Sequence, residues 1–147
     1  MQRRDLIKLT FATAAATTAG TLLPAISSAS PTVAANLLAG SVFYTKDAQG
    51  RWEGKAASHA PEIKIEKNAE AISVTVATGH EMKGFEHYII KHILLDKDYA
   101  FIGEKMFDPS KDVQAISKFS LDKDYSGPIY ALSVCNKHDT WLRAGAV

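Results

Sequence analysis

Apolar and polar positions alternate through most of this chain, and turn-forming residues break the alternation at short intervals. Glu62 to Lys67 puts Ile63 and Ile65 on one side, and Ala71 to Thr78 does the same with Ile72, Val74 and Val76. A period of two is that of a strand with one buried face. Further strand-like runs span Tyr88 to Leu95, Tyr99 to Phe107, Val113 to Leu121, and Ile129 into Cys135, the last element. Between them lie Asn68-Ala69-Glu70, Asp96-Lys97-Asp98, Asp108 to Asp112, and Asp122 to Pro128, whose Asp, Asn, Gly and Pro residues favour turns. Leu-Asp-Lys-Asp-Tyr occurs twice, at 95–99 and 121–125, and reads as turn chemistry, its ligands being too sparse for a calcium loop. Pro31 to Thr45 is apolar with little punctuation and fits either a short helix or a leading strand. Short strands at this spacing, without a sustained helical period, predict an all-β protein with an immunoglobulin-like antiparallel β-sandwich.

The first 29 residues follow a different pattern. Arg3-Arg4 precedes an Ala- and Thr-rich apolar stretch from Leu9 to Leu23, then Pro24 and the small residues Ser27-Ser28-Ala29. This is the charged, apolar and small-residue layout of a signal peptide, and the paired arginines resemble a twin-arginine signal. The stretch is too short and too weakly apolar for a stable membrane span. The expected organisation is a signal peptide over 1–29, cleaved after Ala29 or alternatively Ala35, and one domain over 30–147. The expected location is the periplasm, reached folded by the twin-arginine route.

Composition adds exclusions. With 46% apolar and 22% charged residues the chain can build a core. Its formal charge of +1 gives no general basic face for nucleic acid. Losing Arg3, Arg4, Lys8 and Asp5 with the signal turns the charge slightly negative, so any attraction of an anion must be local. The single cysteine, Cys135, rules out an intrachain disulfide and any all-cysteine metal site within one chain.

Cys135 and His138 stand three residues apart at the end of an apolar strand. Taken alone, the pair is either a metal-binding turn or a buried cysteine beside an unrelated histidine. The other histidines are selectively placed. His59 sits in a loop before Pro61, and His80 and His87 bracket one loop. Loops at one end of a sandwich cluster, so four imidazoles and one thiolate can converge. Such a set suits iron, which takes five ligands and leaves a sixth position open, better than structural zinc, which takes four. His92 lies an odd number of residues from His87, inside the strand. It is expected on the opposite face, as a surface or satisfied core histidine.

Three segments then resemble the desulfoferrodoxin family, the superoxide reductases. Trp52-Glu53-Gly54-Lys55 with His59-Ala60-Pro61 is similar to W-x-G-E-K-H-x-P. His80, Met82 and Glu86-His87-Tyr88-Ile89 are similar to H-P-M-x-x-E-H-Y-I. Ile129 to His138 with Trp141 is similar to A-L-x-x-C-N-x-H-G-x-W. The resemblance covers about Trp52 to Trp141. It implies a mononuclear iron with His59, His80, His87 and His138 as equatorial ligands and Cys135 as axial ligand. The chain departs from the family at Ala57-Ser58, where Glu-Lys is usual, at Glu81 for Pro, and at Asp139 for Gly. The segment from Gly54 to His59 is two residues longer and the loop from His80 to His87 one residue longer. The family lysine attracts superoxide, and Lys55 and Lys83 are the candidates to replace it.

The resemblance implies an enzyme that reduces superoxide by one electron to hydrogen peroxide, fed by an unidentified electron donor and able to form homo-oligomers. The alternative is an exported metal-dependent electron-transfer or metal-binding protein without superoxide turnover. A blue-copper version of that alternative lacks the methionine expected after His138 and leaves the four-histidine pattern unexplained.

Overall fold

The computed structural model describes residues 38–147. The signal segment, both cleavage positions and Pro31 to Leu37 lie outside the described residues. The architecture is two antiparallel sheets facing each other. Strands β1 (Glu62–Lys67), β2 (Ala71–Thr78) and β5 (Ala115–Asp122) form one, in the order β1-β2-β5. Strands β3 (Ile89–Leu95), β4 (Phe101–Met106), β6 (Pro128–Cys135) and β7 (Asp139–Ala146) form the other, in the order β4-β3-β6-β7. The chain passes between sheets after β2, β4 and β5, which is the Greek-key wiring of an immunoglobulin-like sandwich.

The period-two pattern is realised directly. Along β2, Ile72, Val74, Val76 and Thr78 are buried while the residues between them are not. Ile72, Val74 and Val76 pack against Leu94, Ile129 and Ala131 of the facing sheet and against Leu121 of β5. Each large aliphatic side chain removed from water here contributes about 1.5–3 kcal/mol.

Two features depart from the sequence expectation. The strand ending at Cys135 is not the last element, because β7 pairs with it along its whole length, from Pro128↔Ala146 to Cys135↔Asp139. Trp141 of β7 is fully buried, and the backbone of Tyr44 bonds both sides of it, with Tyr44 N–H donating to Thr140 C=O at 2.9 Å and Leu142 N–H to Tyr44 C=O at 2.8 Å. In the described part of the leading segment Leu38 is helical, and Ala39 to Tyr44 form a turn flanked by isolated bridges.

The second departure is in β3. Its register against β6 shifts between Ile89 and Lys91, so Ile90 is an extra residue. A bulge of this kind resets which face later residues occupy. Ile89, two residues after His87, and His92 are both fully buried between the sheets. The odd-number argument that set His92 on the face opposite His87 fails at this bulge. His92 is a satisfied core histidine, with Nε2 2.9 Å from Thr78 Oγ1 and Nδ1 2.9 Å from Ser117 Oγ.

The β1–β2, β3–β4 and β5–β6 turns lie at one end, and this end holds both copies of Leu-Asp-Lys-Asp-Tyr. The β2–β3 loop, the β6–β7 turn and the lead into β1 lie at the other.

Candidate metal centre

That second end gathers four histidines and the cysteine. His59 closes a one-turn helix, α1 (Ala56–His59), rather than sitting in a loop as the sequence suggested. The Ala60 N–H bond to Ala56 C=O, at 2.9 Å, ends the turn, and Pro61 sends the chain into β1. His80 lies two residues beyond β2, and His87 two before β3. Cys135 is the last residue of β6, and His138 is in the three-residue turn to β7.

Asn136 ties these segments together. Its Oδ1 accepts from Tyr88 N–H at 3.1 Å, and its Nδ2 donates to the carbonyls of Phe85 and Glu86 at 3.2 Å. The loop carrying His87 is thereby pinned to the turn carrying Cys135 and His138. Trp141 Nε1 donates to His138 C=O at 2.9 Å and holds that turn from below.

One nitrogen or sulfur from each of the five residues lies within 4.8 Å of all the others, and no carboxylate belongs to the cluster. His87 Nε2 is 3.1 Å from His80 Nε2 and 3.0 Å from His138 Nδ1. Cys135 Sγ is 3.7 Å from His138 Nδ1 and 4.0 Å from His80 Nε2. His59, His80 and Cys135 are buried, while His87 and His138 are partly exposed and give the cluster its open side.

The donor atoms are prepared for a cation. His59 Nδ1 meets the Lys55 carbonyl at 3.1 Å and Ser58 Oγ at 2.8 Å. A proton held on Nδ1 by the carbonyl leaves a lone pair on Nε2. That Nε2 is buried and has no hydrogen-bond partner. His80 repeats the arrangement, with Nδ1 at 2.5 Å from the Glu81 carbonyl. An unpartnered imidazole nitrogen facing three others and a sulfur is costly in a bare protein and is what a metal ion resolves. Lys137 N–H donates to Cys135 Sγ at 3.4 Å.

The electrostatics agree. Burial pushes His59 down to about 4, against the smaller opposing effect of the Lys55 carbonyl. Burial also lowers His80, His87 and His138, with neighbouring histidines and lysines adding to the effect. All four rings are thus kept neutral at pH 7, the state in which imidazole can ligate.

The two candidate lysines are placed differently. Lys83 pairs with Glu81 at 2.5 Å in the β2–β3 loop. Lys55 has no ion pair among the described residues, and its charge depresses both His87 and His138. Lys137 acts on the same two histidines and was not singled out from the sequence. The available signal was its position between Cys135 and His138.

Asp139 has φ of 58°, in the left-handed region that favours glycine. Its carboxylate accepts from Trp52 Nε1 at 2.9 Å and pairs with Arg51. Trp52 in turn stands edge-to-face with His138, ring centroids 4.7 Å apart. An aspartate is held here by contacts that a glycine cannot make.

The family model for desulfoferrodoxin matches residues 51–144. This chain belongs to the desulfoferrodoxin family. Within that family, the chain is 34% identical over 104 residues to a superoxide reductase of Thermococcus kodakarensis, covering 63% of this chain and 87% of that protein. It is 32% identical over 111 residues to a superoxide reductase of Pyrococcus furiosus, covering 63% and 88%. Among solved structures, the superoxide reductase (neelaredoxin) of Ignicoccus hospitalis superposes with a TM-score of 0.61 at 27% identity, over 74% of this chain and 95% of that one. A superoxide reductase in the oxidised state gives 0.53 at 28% identity, over 67% and 93%. The desulfoferrodoxin match thus contains all five clustered residues and the whole of both sheets up to β7.

Proposed function

We propose that this chain is a superoxide reductase, taking superoxide by one electron and two protons to hydrogen peroxide at a mononuclear iron. His59, His80, His87, His138 and Cys135 would hold the iron. The observation that carries this reading is their convergence, with an unpartnered buried His59 Nε2 aimed among the other donors. Iron held there supplies the single electron that superoxide needs, and an external reductant must restore it.

The chain's own residues do the rest. The hydrogen bonds from His59 and His80 to carbonyls fix which ring nitrogen faces inward. The Lys137 amide donates to the Cys135 sulfur and orients it toward the cluster. Superoxide is an anion, so a nearby lysine raises its encounter rate. Lys55 and Lys83 are the residues proposed for this role, with Lys137 beside them; the unpaired charge of Lys55 favours it over Lys83. Export is likewise proposed from Arg3-Arg4 and the apolar stretch that follows, with the mature domain beginning near residue 30 and acting in the periplasm.

The test is metal analysis with the visible spectrum of the oxidised protein. One iron per chain and a thiolate-to-iron absorption band are expected, and Cys135→Ser should remove the band because an alkoxide cannot supply the same charge transfer. Copper in the native protein, or a band that survives Cys135→Ser, contradicts the assignment. Full iron and band with no consumption of superoxide leaves an electron carrier instead.

A further inference from the structure

The middle of the sandwich contains a polar chain that the site does not use. His92 and Ser133 are fully buried, and Thr78 and Ser117 nearly so. His92 Nδ1 is 2.9 Å from Ser117 Oγ, His92 Nε2 is 2.9 Å from Thr78 Oγ1, and Thr78 Oγ1 donates to Ser133 Oγ at 3.0 Å. The protons can be counted. Thr78 spends its one hydrogen on Ser133, so it accepts from His92 Nε2–H, and His92 Nδ1 accepts from the Ser117 hydroxyl. Burial keeps the ring neutral, with a pKa lowered to about 4.

Each of these bonds crosses from one sheet to the other. Thr78 and Ser117 are on β2 and β5, while His92 and Ser133 are paired neighbours on β3 and β6. The chain separates the aliphatic core from a small cluster formed by Ile89, Phe107, Ala115 and Cys135. His92 stands edge-to-face with Phe107, centroids 5.0 Å apart, and so touches the packing around Cys135. Its position along the strands is the informative part. Two residues beyond Thr78 comes His80, two beyond Ser133 comes Cys135, and His87 precedes His92 across the bulge.

Apolar contact between sheets is non-directional and tolerates small slides. Hydrogen bonds in a dry interior have fixed lengths and directions and do not. We propose that the Ser117–His92–Thr78–Ser133 chain is a positioning device, locking the two sheets in one relative setting and so fixing the spacing of His80, His87 and Cys135 for the metal. His92 is then a positioning residue and not a ligand. The proposal rests on the metal reading above.

The test uses the iron-loaded mature protein with Thr78→Val and Thr78→Ser. Valine is nearly the same shape but removes the hydroxyl and two of the three bonds, whereas serine keeps it. Three quantities are read: the rate of iron release to a chelator, the energy of the thiolate-to-iron band, and the thermal midpoint of the metal-free chain. Thr78→Val should still load iron, release it about 10-fold faster and show a shifted band, while Thr78→Ser keeps native values. A core-filling role would move only the thermal midpoint. Native release and an unmoved band in folded Thr78→Val overturn the proposal. If Thr78→Val yields no folded protein, Ser133→Ala removes a single bond and the same two readouts decide. A native chain that takes up no iron overturns the metal reading and this proposal with it, whereas normal loading with an insensitive Thr78→Val sinks the positioning role alone.

Discussion

His59 shows how a single side chain is committed to one task. Its Nδ1 is occupied by the Lys55 carbonyl and Ser58, so only Nε2 is left for the cluster. The lengthened segment that replaces the family's Glu-Lys pair by Ala57-Ser58 therefore still orients the ring, and Ser58 contributes directly to doing so. The five-residue cluster was legible because each member sits in a short motif. The lysine question was only partly legible, since the Glu81 partner that offsets Lys83 and the approach of Lys137 depend on loop geometry. Charges matter to a small anion only within a screening length of about 10 Å in 0.1 M salt. Lys55→Met, and more so Lys55→Met combined with Lys137→Met, should slow the second-order reaction with superoxide by about 3- to 10-fold at low salt and flatten its ionic-strength dependence. Lys83→Met should have a smaller effect. Pulse-generated superoxide at two salt concentrations checks this, with unchanged iron content as the control. Native rates and salt slope in the double variant would show that the site works without a dedicated cation.

Strands were read well where alternation is clean, as in β1 and β2, whose bounds match the expectation residue for residue. They were read less well where a tertiary partner supplies the order. β7 mixes Arg143, Gly145 and small residues with Trp141 and Leu142, and it exists as a strand because β6 offers it a full ladder. α1 is a single turn too short for a helical period to register. The bulge in β3 leaves no mark in the sequence, yet it decides that His92 is inside. This has a measurable consequence. The folded protein holds His92 at about 4, against 6.5 for an ordinary histidine. Well above pH 6.5 the ring is neutral in both states and contributes no pH dependence. Below it, the unfolded chain binds a proton that the folded chain refuses, so stability is lost as pH falls and levels off near pH 4. The loss is about 3 kcal/mol in all, at about 1.4 kcal/mol per pH unit. His92→Gln should remove that part of the slope. Denaturant titrations of both proteins between pH 7 and 4 measure it, and parallel curves would place His92 in a solvated environment instead.

Taken whole, the molecule is a sandwich used as a clamp. The Greek-key wiring brings the end of β2, the start of β3, the β6–β7 turn and the lead into β1 to one end, and all five donors are there. The other end carries the β1–β2, β3–β4 and β5–β6 turns, and both copies of Leu-Asp-Lys-Asp-Tyr act there as turn residues, with Asp96 and Asp122 accepting backbone N–H bonds. The fold class and the convergence of the site both followed from the sequence, because short alternating strands leave few other arrangements and the motifs lie at their ends. The polar chain through the core did not, since Thr78, Ser117 and Ser133 look like ordinary strand residues until the sheets are stacked. The proposed export rests on Arg3-Arg4 and the apolar stretch that follows. Replacing Arg3 and Arg4 by lysine should leave it in the cytoplasm if the route is twin-arginine, and cell fractionation tests this; unchanged delivery would indicate a general secretory signal. The central claim is reduction of superoxide, and stoichiometry tests it most directly. Reduced, iron-loaded protein is given a known amount of superoxide, and peroxide and dioxygen are both measured. The account predicts one hydrogen peroxide for each superoxide consumed, one oxidised iron for each, and no dioxygen. Dioxygen released in equal amount to peroxide, with the iron left reduced, would be dismutation and would contradict it.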